Sequence, residues 1–303
     1  MVDWRGRKRS DNIVDKRGQR APMGMGRRSA RAGGGIGIVG IVIVVIMFFM
    51  GADPAQLLSV LLGGGDPAGG ATEQRLPEQP QPGAPAAEDA GAAFMGVVLN
   101  DTEETWGQLF AEAGSQYPQP KLVLYEDAVQ SACGMGMAAA GPFYCPGDQQ
   151  LYLDLSFFRE LSKMGAPGDF AQAYVIGHEV GHHVQNVLGT LERSQRAKGQ
   201  LSETDGNALQ VLVELQADCY AGVWAHHAET QRDLLESGDV EEGLQAATAI
   251  GDDTLMKRAG RPVHAESFTH GSAAQRVEWF RRGFESGSVE QCDTFAAAGV
   301  ELR

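Results

Sequence analysis

The sequence predicts an α+β fold, mainly helical with a small sheet, preceded by one transmembrane helix. Three observations predict it. Beyond residue 100, stretches with apolar side chains at helical spacing recur. Two short runs rich in β-branched and aromatic residues stand among them. Residues 33–51, GGGIGIVGIVIVVIMFFMG, carry no charge at all.

That uncharged run is long enough to cross the hydrocarbon of a bilayer as a helix. Ten Lys and Arg against three Asp and Glu precede it in residues 1–31. The excess predicts residues 1–32 as a basic cytoplasmic tail, residues 33–51 as a signal anchor in the cell membrane, and an extracytoplasmic body. A cleaved signal peptide fits less well, because both the basic region and the apolar run are too long for one. The rest of the chain holds 15 basic and 36 acidic residues. An acidic body repels phosphate, which argues against nucleic acid as a partner.

Residues 52–93 are dominated by Gly, Pro, Ala, Gln and acids, and over 63–93 almost no large apolar side chain occurs. Such a segment cannot bury enough surface to offset its ordering entropy, so it is expected to be a linker. The folded domain is then residues 94–303. Within it, the acidic turn at Asp101 and the trailing Gly114 bracket a helix. LVLYED at 122–127 and QQLYLDL at 149–155 read as strands, with GMGMAAAGP between them as an edge strand or a loop. SFFREL opens another helix. Asp169, with Gln172 three residues on and Gly189 at the far end, brackets a long amphipathic helix by a capping-box pattern. Further helices are expected from about Asn207 to Glu229, in VEEGLQAATAI and in SAAQRVEWFRRGF.

Cys133, Cys145, Cys219 and Cys292 include no CxxC pair, so a zinc knuckle is a poor reading. All four follow the apolar run, where the expected compartment is oxidising. Three pairings are possible; closeness in sequence favours Cys133 with Cys145, which leaves Cys219 with Cys292. Four buried free thiols are the alternative.

Chemistry concentrates in HEVGH, residues 178–182. Two histidines four apart project from one helical face, so both imidazoles reach a single metal ion. Glu179 is rotated from that face, toward a water on the metal rather than the metal itself. Zinc needs a third protein ligand, with its fourth position open for catalysis. In VELQADCYAG, Glu214 and Asp218 share a helical face between apolar flanks. Glu214 completes a His₂Glu set, and Asp218 is placed to accept the second ring N–H of a ligand histidine. His183 points about 100° away from His182. His226, His227 and His264 lack ligand spacing, and Tyr144 and Tyr152 suit either a cleft or the core.

GPFYCPGDQQLYLDLSFF, GDFAQAYVIGHEVGHHVQN, ELQADCYAG and FTHGSAAQR resemble, in this order, the bacterial neutral zinc metallopeptidase family. The resemblance covers most of residues 95–303. More distantly, HExxH followed by ExxxD is similar to the thermolysin-like arrangement called gluzincin. The resemblance implies a zincin-like domain: a membrane-associated peptidase with one zinc ion per chain. It implies His178, His182 and Glu214 as ligands, Glu179 as general base and Asp218 behind a ligand. Thermolysin-like sites also place a histidine from a later segment against the oxyanion, which makes His270 a candidate. Its alternative is to cap the helix that follows, and Arg276 on that helix has a simple ion pair as its alternative. A zinc-stabilised inactive scaffold and a zinc hydrolase of a cell-wall amide are the rival functions. The expected partners are a peptide or protein substrate and the membrane.

Overall fold

The computed structural model of the protein describes residues 1–19 and 89–302. The expected anchor at 33–51 and nearly all of the linker lie outside the described residues. Among the described residues no helix is long and apolar enough to cross a membrane.

The fold is α+β, mainly helical with a small sheet. Strand β1 (Ile13–Asp15) pairs in parallel with β2 (Lys121–Tyr125), which pairs in parallel with β6 (Gln150–Asp154). Strand β5 (Phe143–Cys145) closes the other edge, antiparallel to β6. A separate hairpin joins β3 (Ala128–Ser131) to β4 (Gly134–Met137). GMGM, left open between strand and loop, is therefore a strand, and the alanines after it make a 3₁₀ turn. Side chains alternate across a strand. Leu122, Leu124, Leu151 and Leu153 thus enter the main helical core, while Val123, Tyr125 and Tyr152 fill a second cluster with Val129.

The first residues of the chain are not a free tail. Ile13 to Asp15 form the sheet edge, Trp4 meets Phe94 edge-on at 5.9 Å, and Ser10 and Asn12 donate to buried Glu103. Residues 1–19 therefore belong to the same folded unit as the region after residue 89. A single pass of residues 33–51 would leave these two parts on opposite sides of a bilayer, whereas the β1–β2 ladder joins them on one.

Helix α1 (Ala90–Glu112) begins within the expected linker and well before Asp101, because Asp89 caps it and Phe94, Met95, Val97 and Val98 are buried. Helices α2 (Ser156–Lys163), α3 (Asp169–Val187) and α4 (Thr190–Lys198) follow the sheet. The capping box expected at Asp169 is absent. Gly168 is the N-cap, and the Asp169 carboxylate accepts from the backbone of Val2 instead. Gly189 does terminate α3, at φ 75°, a conformation that favours glycine. Helix α5 (Glu203–Arg232) is longer than its sequence suggested, since the Ser202 hydroxyl caps it. Helices α6 (Asp239–Ala249), α7 (Asp252–Arg258), α8 (Ala273–Ser286) and α9 (Thr294–Ala297) complete the described chain.

Both disulfides favoured by the sequence are present, Cys133–Cys145 and Cys219–Cys292. The second ties α5 to the 3₁₀ turn Val289–Cys292 across 73 residues.

Candidate metal centre

Helices α3 and α5 touch backbone to backbone beside HEVGH. A Cβ on Gly181 would lie 2.8 Å from the Ala217 carbonyl oxygen. Only glycine permits that approach, and it brings His178 and His182 against Glu214. Helix α8 closes on α5 in the same way, since a Cβ on Gly283 would stand 2.0 Å from the Cys219 oxygen.

Glu214 Oε2 stands 3.3 Å from His178 Nε2 and 3.4 Å from His182 Nε2. Zinc bonded at 2.0–2.2 Å with tetrahedral angles requires donor atoms about 3.3 Å apart, so both distances suit this ion, and all three donor atoms lie within 4.8 Å of one another. His178 and Glu214 are buried and His182 is partly so.

Each of the three side chains is held from behind. His178 Nδ1 lies 2.8 Å from Asp218 Oδ1, which leaves Nε2 for the metal. Asp218, fully buried, also accepts from Tyr174 Oη at 2.5 Å and from Arg276 through both carboxylate oxygens. His182 Nδ1 meets Gln185 Oε1 at 2.9 Å. Glu214 Oε1 accepts from Gln210 Nε2 at 2.8 Å, and Lys198 Nζ donates to the other end of Gln210. One oxygen of Glu214 is thereby occupied and the other faces the two imidazoles.

Without an ion, protons serve as the counter-charge. Burial disfavours imidazolium, yet Glu214, with smaller contributions from Glu179 and Gln185, lifts His182 to about 9. Asp218 and Glu214 likewise hold His178 above its ordinary value against burial. Burial opposes charge on Asp218 too, but Arg276 and His178 hold it at about 2. Glu179, beside His178 on α3, is buried at 9% exposure, and its carboxylate adds to the negative field at His182.

His270 does not cap α8. Ser272 does, in a capping box with Gln275. The ring of His270 is instead turned by Asp252, whose Oδ1 lies 3.2 Å from Nδ1 while Oδ2 accepts from the backbone of Thr269, His270 and Gly271. Burial opposes charge on this ring, but the Asp252 bond and the nearby negative charge of Glu214 hold it above its ordinary value. Arg276 belongs to the Asp218 cluster rather than to the cleft.

The remaining histidines lie elsewhere. His183 is buried between the Pro118 carbonyl and Tyr144, and His226 and His227 bond to the carbonyls of Phe284 and Gly287. His264 is exposed beside Glu266. Tyr152 is a core residue, stacked on Phe143. A second acidic group, Asp169, Asp239 and Glu242, accepts from the backbone N–H groups of Val2, Glu236 and Phe170.

Gln185, Gln210, Tyr174 and Asp252 were missed by reading the sequence. Gln185 and Gln210 stand three and four residues from a ligand on its own helix, a spacing that could have found them. Asp252 and Arg276 join the site across 18 and 58 residues, and no local pattern marks them.

Comparison with known proteins agrees with this geometry. A family model described as "Putative neutral zinc metallopeptidase" matches residues 2–295, which include the N-terminal strand β1. The chain is 43% identical over 294 residues to "Uncharacterized protein YpfJ" of Escherichia coli (strain K12), covering 96% of this chain and 98% of that one. It is 40% identical over 212 residues to "Uncharacterized protein Rv2575" of Mycobacterium tuberculosis (strain ATCC 25618 / H37Rv), covering 66% and 69%. No solved structure matches it. With the His₂Glu set and the near full-length match together, the chain belongs to the "Putative neutral zinc metallopeptidase" family.

Proposed function

We propose that this protein is a zinc-dependent peptidase that binds one zinc ion per chain through His178, His182 and Glu214. The observation that carries the reading is the position of Glu214 Oε2, at 3.3 and 3.4 Å from the two ligand nitrogens, with Glu179 beside them. Zinc, when bound, supplies a Lewis acid that lowers the pKa of water and polarises a carbonyl. Asp218, Gln185 and Gln210 hold the three ligands in place. Glu179 takes a proton from the attacking water and returns it to the leaving amine. His270, oriented by Asp252, donates toward the oxygen on which negative charge develops. Arg276 neutralises Asp218 rather than touching substrate.

The substrate in this reading is a peptide or protein. Two disulfides support an oxidising compartment for the domain, and the apolar run at 33–51 supports attachment to the cell membrane. The test is zinc content and peptide cleavage of the full chain, before and after chelation and after zinc is restored. Cleavage that survives complete metal removal would overturn the proposal.

A further inference from the structure

The two ligand histidines are backed by opposite chemistries. His178 leans on a carboxylate, Asp218, whose charge Arg276 cancels. His182 leans on a neutral carboxamide, Gln185, which is fully buried.

The orientation of that carboxamide is dictated from farther away. Gln185 Nε2 lies 2.7 Å from the Val213 carbonyl and 3.1 Å from Gln216 Oε1. A carbonyl only accepts, so the amino end of Gln185 faces Val213 and its oxygen faces His182. Gln216 obeys the same rule, because its Nε2 lies 3.0 Å from the carbonyl of Cys292. Its oxygen is thereby left for Gln185. Gln185 Oε1 then requires a proton on His182 Nδ1, and the Nε2 lone pair is free for metal. Cys292 is fixed to Cys219, one residue beyond Asp218 on α5, and both half-cystines are fully buried.

We infer that Gln185 is the positioning residue for His182, and that the Cys219–Cys292 disulfide supports zinc binding by holding the carbonyl on which the Gln216–Gln185 relay ends. The inference rests on the reading of His178, His182 and Glu214 as a zinc site. The relay has two ends with different demands. At His182 it must present an acceptor, and at Cys292 it must present a donor.

The test measures zinc affinity of the full chain by chelator competition, unfolding of the metal-free protein, and the absorption spectrum with cobalt in place of zinc. Gln185→Leu removes the acceptor and is expected to weaken zinc binding about 10–100-fold, the range for partners behind metal ligands, and to alter the cobalt bands. Gln185→Glu keeps an acceptor for Nδ1–H but turns a carboxylate toward two oxygens. It is expected to keep zinc affinity near that of the parent while losing stability, a split that a merely structural residue would not produce. Replacing both Cys219 and Cys292 by Ser is expected to weaken zinc binding in the parent, and to have less effect once Gln185 is Leu. Gln216→Leu should behave as the serine pair does. Zinc affinity that follows stability across all variants, or serine-pair and Gln185→Leu losses that simply add, would overturn the relay. A parent protein that binds no zinc would overturn the site itself, a separate failure.

Discussion

Arg276 grips Asp218 with two nitrogens, Nε to Oδ2 at 2.8 Å and Nη2 to Oδ1 at 2.9 Å, in a region closed to water. The pair spans α5 and α8 and lies directly behind His178. Removing one partner leaves the other charge buried and uncompensated, which costs about 3–5 kcal/mol. Arg276→Leu is therefore expected to destabilise the metal-free protein by that amount in urea unfolding. Adding Asp218→Asn should restore part of the loss. If Arg276→Leu alone is neutral, the pair contributes nothing to holding α8 on α5.

Glu179 and Glu214 should separate cleanly. Glu179→Gln keeps shape and loses the base, so zinc stays bound while peptide cleavage falls on the order of 10²–10⁴-fold. Glu214→Ala leaves two histidines, too few for a stable site, and should lose zinc and cleavage together. Zinc stoichiometry and cleavage measured in parallel decide it, and full activity in Glu179→Gln would refute the assigned base.

His270 and Asp252 should form a graded series. Removing one oxyanion donor lowers kcat by roughly 10²–10³. His270→Ala is expected to fall in that range with zinc content unchanged. Asp252→Asn keeps a hydrogen-bonding side chain behind the ring and should fall less. Equal and large losses of zinc in both variants would show a structural role instead.

The pH dependence follows from His182, which sits at about 9 in the metal-free protein against an ordinary 6.5. Zinc competes with that proton, so apparent zinc affinity should climb as pH rises toward about 9 and level off above it. The metal-free fold has the opposite dependence. A raised folded value stabilises fully below 6.5 and is lost as pH rises through about 9, so metal-free Tm should fall across that window. Zinc-loaded protein should lack the fall, because the ion replaces the proton. Thermal melts with and without zinc from pH 6 to 10 test both, and parallel curves would exclude the exchange.

The β1–β2 ladder predicts that residues 1–19 and 89–302 reside on the same side of any membrane. A membrane-impermeant reagent applied to intact cells should treat tags at the two ends of the full chain alike. Labelling at the C-terminal end alone would restore the single-pass arrangement that the charge distribution suggests, and would mean that β1 leaves its own sheet in the membrane-bound protein.

The candidate metal site was legible in the sequence because its key spacings are local. His178 and His182 share a helical face by the four-residue repeat, Glu214 and Asp218 do the same on α5, and Gln185 and Gln210 obey the rule without having been noticed. Cysteine spacing and compartment were enough to favour the two disulfides, and β-branched runs were enough to find β2 and β6. What the sequence could not decide depends on contact between distant segments. Residues 1–19 look like a charged tail until Ile13 and Val14 find β2, and residues 90–93 look like the end of a linker until α1 takes them up from Ala90 and buries Ala93. Arg276 neutralises Asp218 only because Gly283 lets α8 approach α5, and Asp252 turns His270 where Gly251 lets the start of α7 approach Ala273 on α8. Local periodicity decides which side chains share one helical face; only packing decides which faces meet, and that choice places the groups behind the ligands.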